Sequence, residues 1–385
     1  MTVMKEYMVI GTWAETYNGE SGGELRVYRY EAGKAALLQA VDVGKSVSMF
    51  TCDRERGLLF AACETNYHDK NMPGGELRVY QTGKEGTLTL SGTYNSYGGF
   101  PVGIALTKKY IVVLNHGSSL AKVCLTYRNE DGKFVTEFVS DEANLCLFAR
   151  TQDGSVGTLL DRYVFRGRGT LPVFQESPAP HDLYYVPEKK LFYVPMRGTD
   201  ETRVFSIQEE AKKLEPAGIL ENRSQTGPRN AVCTVGKEGV GYVYVVGEIE
   251  PLVTVFREDD DGWTKIQELR TVEKLPEKVP VTSFEYPHPS GILLHEEKKK
   301  LYTITRKANV LTIFTMASDG TLIREREFTL GGENPRQMVL AKDVLFVVCM
   351  DSRNILEMKL DEDGNPVQVH PIIQQADRIA YMKLI

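Results

Sequence analysis

Along this chain, short runs of alternating apolar and polar residues recur far more often than helical periods, which predicts strands joined by tight turns. The heptapeptide GGELRVY occurs at Gly22–Tyr28 and again at Gly74–Tyr80, and looser copies follow at Ala121–Gly132, Glu201–Glu210, Leu252–Gly262, Val310–Gly320 and Ile355–Gly364. Most copies end in an Asp-Gly or Gly turn, so each is expected to fold back into a further strand. Upstream of each copy lies a more continuously apolar run: MVIGTW, LLFAACE, YIVVLNHG, LFYVPMRG, YVYVVGE, LYTITRK and LFVVCM. In six of the seven units another strand precedes that run, at SVSMFTC, PVGIALT, HDLYYVP, NAVCTV, GILLH and RQMVL. The first unit lacks one, and the chain ends in a strand of the missing kind, RIAYMKLI (Arg378–Ile385).

Units of roughly 55 residues, each with four strands, predict an all-β fold, a seven-bladed β-propeller whose ring closes when the C-terminal strand joins the first blade. Nothing resembles an interdomain linker, so residues 1–385 are expected to form a single propeller domain. Gln208–Leu214 is the best helical candidate and is short enough to be a turn. Two segments, Thr136–Ser177 and Val272–Ser290, exceed the repeat length, and the first brings Arg162, Arg166 and Arg168 close together. Insertions of this kind lie on a face of the ring, as a lid over the channel or as solvated loops.

Composition narrows the function classes. The chain has 385 residues, 46 Lys+Arg against 52 Asp+Glu and a formal charge of -6, without a basic face that would serve nucleic acid. Apolar runs such as Val344–Met350 are far too short to span a bilayer, and Tyr7–Ile10 is too short for a signal-peptide core. Six scattered cysteines without a CxxC pair fit buried free thiols in a reducing cytoplasm. The expectation is a cytoplasmic monomer with no nucleic-acid or membrane partner. The histidines show no metal-ligand spacing, and there is no Walker, GxSxG or GxGxxG signature, so neither metal nor cofactor is expected.

Chemistry in a propeller is expected where strand ends converge on the central channel. Arg229 stands in a Gly-Pro-Arg turn leading into an inner strand, and Glu248 ends the adjoining one. His181 opens an inner strand in the same relative position, Arg336 does so in the last full blade, and Arg306 ends a second strand. Several guanidiniums directed at one channel point to an anionic ligand, and an imidazole beside them is able to activate water near neutral pH. Taken singly, each is also explained as a surface ion pair, a turn arginine or a channel-lining histidine.

At these residues the sequence resembles the seven-bladed propeller lactonases, the group of propeller-type 6-phosphogluconolactonases and carboxymuconate-lactonising enzymes. The likeness runs through APHDLYYVPEKKLFYVPMRGTD, GPRN with GEIE, ITR and GGENPR, in order and spacing over nearly the whole chain. It implies a channel-mouth site of one His, two Arg and one Glu, which fall here on His181, Arg229, Glu248 and Arg306; beside them, Arg197, Asn230 and Arg336 are expected to bind substrate. It further implies metal-independent hydrolysis of an anionic sugar lactone, with cycloisomerisation as the related alternative. The sequence departs from the pattern at Ala179 and Asn230, where the family has His, at Met196 and Arg197, where it has Asp and Leu, and at Gly291, where it has Glu. These changes fit an altered substrate, with Arg197 adding positive charge, or a propeller that binds a ligand or protein without turnover. An exposed aromatic patch at Tyr94, Tyr97 and Phe100 would favour the binding module.

Overall fold

The computed structural model of the chain describes residues 6–13, 22–69, 72–117, 123–139, 141–235, 241–375 and 377–385. Seven four-stranded antiparallel sheets form the blades of a propeller, and two two-stranded hairpins stand apart from them. Blade 1 takes its innermost strand, Arg378–Leu384, from the end of the chain; it lies antiparallel to Glu6–Trp13, with Met8 opposite Leu384 and Trp13 opposite Arg378. The innermost strands of blades 2 to 7 are Val47–Asp53, Pro101–Leu106, Tyr184–Val186, Pro228–Thr234, Pro289–His295 and Pro335–Ala341. The ring closure expected from the unpaired last strand is present. No helix among the described residues is long and apolar enough to cross a membrane.

Burial explains the two kinds of apolar run. The second strands are covered on both faces, and Leu58–Cys63, Tyr110–Asn115 and Lys300–Thr305 are buried at every position. Strands buried on both sides need no alternation. In the third strands Leu25, Val27, Leu77 and Val79 turn to the core. On the alternate positions of the same heptapeptide, Arg26 Nε donates to Glu24 and Arg78 Nε to Glu76, each at 2.6 Å, so the repeat encodes one apolar stripe and one ion pair. Hydrophobic clusters occupy the junctions between neighbouring blades: Val9, Leu25 and Val27 pack with Phe50, Leu59 and Tyr80, while Ile10 and Met382 pack with Phe346, Val348 and Ile355.

The third unit differs from its sequence reading. Ala121 and Lys122 lie outside the described residues, and the rest of the supposed third strand forms the hairpin of Val123–Arg128 with Phe134–Val139, paired only with itself. The third and fourth strands of blade 3 are Asn144–Arg150 and Val156–Val164, so much of the apparent insertion is blade. Cys124, on that hairpin, is exposed rather than buried, and Cys52 is partly covered; the other four cysteines are buried. Arg162 and Arg166 pair with Glu142 at the surface, and Arg168 is exposed. In Gln208–Leu214, residues 209–212 form a turn between two strands, and Gln208 and Leu214 lie in those strands.

Met382 is fully buried in the strand that closes the ring. Met382→Ala is expected to cost about 2–5 kcal/mol, measured as a lowered midpoint in chemical denaturation.

Candidate active site

One local device, repeated from blade to blade, builds the site. The inner strands carry a register shift at their second residue, between Val47 and Met49, Pro101 and Gly103, Pro228 and Asn230, Pro289 and Gly291, and Pro335 and Gln337. In blade 1 the partner of the second strand jumps from Tyr381 to Ile379, skipping Ala380. In blade 4 a single bridge joins Pro180 to Met196, and His181 follows it. A bulge leaves one residue unpaired and re-aims its side chain. Here the residues so placed are Ser48, Val102, His181, Arg229, Ser290, Arg336 and Ala380, and all of them line one cavity of about 200 Å³ on the channel.

A second ring of residues follows the second strands: Glu64, His116, Arg197, Glu248, Arg306 and Met350. Each donates its backbone N–H, at 2.7–3.2 Å, to the carbonyl two residues before the bulged residue of its own blade: Ser46, Phe100, Ala179, Gly227, His288 and Asn334. The two rings are thereby locked side by side. Gly227 shows the constraint most sharply, because its φ is +63° and a Cβ there would stand 2.6 Å from Ile249 Cγ1.

Around blade 5 these rings bring the expected residues together. Arg229 is 4% exposed, and its Nη1 donates to Asn230 Oδ1 at 2.6 Å and to the Ser290 carbonyl. Its Nε lies 3.5 Å from Glu248 Oε1 and has no hydrogen-bond partner. Glu248, 5% exposed, accepts from Arg306 Nη2 on Oε1 at 2.5 Å and from Arg197 Nη1 on Oε2 at 3.2 Å. Burial alone would raise the Glu248 carboxyl, but Arg306, Arg197 and Arg229 outweigh it and hold the group well below its ordinary value. Burial and the repulsion of Arg306 and Arg336 push Arg229 down to about 9 despite Glu248, which leaves it charged at neutral pH.

His181 is half-buried, and burial followed by the charge of Arg229 lowers its imidazole well below 6.5, so it is neutral at pH 7. Asp182 lines the cavity beside it, raised by burial although the Asn230 amide and the Ala231 and Leu183 N–H groups bond it. Arg336 lies 3.8 Å from Glu64 and stacks its guanidinium 4.7 Å from the Trp13 ring centre.

All seven residues singled out in the sequence thus belong to one neighbourhood. His181, Arg229, Asn230 and Arg336 line the cavity, while Glu248, Arg306 and Arg197 form the charged network behind Arg229. Sequence reasoning missed Glu64, His116, Asp182 and Ser290. A partial signal lay in register: Ser290 follows the proline that opens its inner strand, and Glu64 and His116 directly follow second strands, whereas Asp182 fits neither position. Among the described residues, no group of three or more His, Cys, Asp or Glu stands where it could hold a metal ion. The two long connections meet at the rim, where Phe174 packs 5.8 Å from Phe284 and 5.6 Å from His288, and His288 Nδ1 sits 2.8 Å from the Glu248 carbonyl.

Fold and site together define a seven-bladed propeller with a charged cavity among its inner strands. The sequence pattern of the family described as Lactonase, 7-bladed beta-propeller matches residues 8–370, and the chain belongs to that family. A curated protein of Arthroderma benhamiae named Probable 6-phosphogluconolactonase is 24% identical over 266 residues, covering 68% of this chain. That match spans 61% of the relative's length, less than two thirds. Among solved structures, a candidate 6-phosphogluconolactonase of Bacteroides fragilis superposes with a TM-score of 0.76 at 21% identity, covering 99% of this chain and 98% of that one. The periplasmic gluconolactonase of Pseudomonas aeruginosa gives a TM-score of 0.75 at 16% identity, with 99% of both chains covered. These structural likenesses establish the fold.

Glu248→Gln leaves three guanidiniums without their shared anion and is expected to destabilise the protein by about 3–5 kcal/mol at pH 7. Because the folded carboxyl lies below its ordinary value of 4.5, its contribution is fully present above that pH and is lost as pH falls toward the folded value. The gap between wild type and variant in denaturation experiments should therefore narrow on acidification.

Proposed function

We propose that the protein hydrolyses a lactone bearing a further anionic group, a sugar lactone of the 6-phosphogluconolactonase kind, at the mouth of the channel. The observation that carries this reading is the surplus of guanidinium donors over acceptors beside a neutral imidazole. Arg197, Arg229 and Arg306 share the one carboxylate of Glu248, and the Nε atoms of Arg197 and Arg229 are buried without partners. A carbonyl oxygen that becomes an anion finds its donor in Arg229, the one of the three that lines the cavity. The family and the names of its relatives agree with this chemistry.

In the proposed reaction His181 takes a proton from water while the water oxygen bonds to the lactone carbonyl carbon. The carbonyl π pair moves to the oxygen, where Arg229 donates to it. Collapse breaks the bond between the acyl carbon and the ring oxygen, and the His181 imidazolium returns its proton to that oxygen, giving the hydroxy acid. Glu248, held as a weakly basic carboxylate by its arginines, orients Arg229 and Arg306 and is not the base. Arg336, which also lines the cavity, has only the long ion pair with Glu64 at 3.8 Å among the described carboxylates and takes the second anionic group. The competing binding-module reading loses its supporting feature, since Tyr94 bonds Ser155 at 3.0 Å, Phe100 is partly buried and Tyr97 alone of the three is exposed.

Arg229→Ala is expected to lower kcat by about 10²–10³, measured by acid release from phosphorylated and unphosphorylated sugar lactones after correction for spontaneous opening. A variant with unchanged turnover would refute the assignment. Arg336→Ala should raise KM for the anionic lactone and leave that for a neutral lactone nearly unchanged. Since His181 is lowered from 6.5, kcat/KM should stay level as pH falls through 6.5 and decline only at more acid pH.

A further inference from the structure

We propose that His116 is a positioning residue for His181, its ring fixing the direction in which the His181 imidazole meets the cavity; the inference rests on the hydrolytic reading and deepens it. The two residues come from neighbouring blades, His116 from the end of the second strand of blade 3 and His181 from the bulge of blade 4. Their rings meet edge to face, with centres 5.7 Å apart and planes at 87°.

His116 is itself held from two sides. Its backbone N–H donates to the Phe100 carbonyl at 2.9 Å, and its Nδ1 lies 2.8 Å from the Gly117 carbonyl. A carbonyl oxygen only accepts, so Nδ1 carries the proton and Nε2 of the neutral ring is bare. The Gly117 carbonyl is held in turn: φ is +70°, its N–H donates to Gly99 at 3.0 Å, and a Cβ would stand 2.7 Å from the Asp141 carbonyl oxygen. His181 has the opposite character. Its backbone N–H is bonded to Pro195 at 3.0 Å, but its ring makes no hydrogen bond among the described residues. A base free to rotate about two side-chain bonds is poorly aimed, and the anchored neighbour supplies the missing restraint. The charged groups around the pair are Arg197, Arg229, Glu248 and Asp182, and burial with Arg197 lowers His116 to about 4, so both rings are neutral where the enzyme would work.

The test compares His116→Ala with His116→Phe, the second restoring a ring of similar shape without the nitrogens. Expected for the alanine variant is a kcat lower by about 10- to 100-fold with KM little changed, and for phenylalanine a recovery to within about 5-fold of wild type. Wild-type kcat in the alanine variant, or phenylalanine no better than alanine, overturns the proposal. In parallel, side-chain NMR follows the tautomer and titration of the His181 ring, which needs no substrate. In His116→Ala the ring should populate both tautomers and titrate nearer to the ordinary histidine value; unchanged His181 signals overturn the proposal whatever the activity. Altered signals in a protein whose wild type opens no lactone would uphold the positioning role and sink the hydrolytic reading. The alanine variant keeps the test decisive if phenylalanine disturbs the fold.

Discussion

A propeller blade has two apolar faces and no means of covering either by itself, so every blade depends on the pair beside it. The constraint is cyclic: unless the ring closes, two faces stay in water. Here closure falls to Arg378–Leu384, which buries Ile379, Ala380 and Met382 completely. Polar groups guide that strand into place. Arg26, from the first copy of the repeated heptapeptide, pairs with Asp377 and Gln375 just ahead of it. Gln337 of blade 7 exchanges two hydrogen bonds with Met382, at 2.9 and 3.0 Å.

The same architecture explains why charged side chains gather around one cavity. An inner strand has no partner on its channel side and is therefore a sheet edge that must be kept from further pairing. This chain does so with proline and with bulges. Pro101, Pro228, Pro289 and Pro335 open their strands, removing a donor, and the next residue is bulged out of the ladder toward the channel. Asp182 accepts from Ala231 N on the next blade much as Gln337 accepts from Met382 N. A device that protects edges thus delivers Arg229, Ser290 and Arg336 to a shared cavity, and the sheet hydrogen bonds that fix them also fix Glu248 and Arg306. Ser290 extends the connection around the rim, accepting from Arg229 through its carbonyl and donating to Pro335 through its hydroxyl.

The blades and their closure were legible in the sequence because burial on one or two faces writes itself directly into alternation or continuity. The third unit misled for the same reason: a free hairpin at Val123–Val139 alternates as a blade strand does, and alternation does not say what covers it. The continuous apolar run LCLF in Asn144–Arg150 marks the true strand. The seven candidate residues were found through motif order, yet their neighbours were not. His116 follows Asn115 with no feature of its own, and its meaning emerges only when blade 3 is set beside blade 4. Ser290 contributes to the Arg229 contact through its backbone carbonyl, which no side-chain pattern reveals.

The departures from the family pattern alter charge in one direction. Arg197 stands where the resemblance gives leucine, Met196 where it gives aspartate and Gly291 where it gives glutamate, so the site gains a cation and lacks two anions. The structure shows where the additional charge goes: Arg197 engages the second oxygen of Glu248, while Arg306 occupies the first and Arg229 is left at 3.5 Å. The Arg197 charge also disfavours protonation of His181 and His116. Asn230, in place of histidine, joins the Asp182 carboxyl to Arg229 without introducing another titrating group. Gly291 meanwhile leaves its stretch of cavity wall without a side chain. On the hydrolytic reading proposed above, a more cationic pocket with its imidazoles kept neutral suits a lactone that brings more negative charge than one oxyanion.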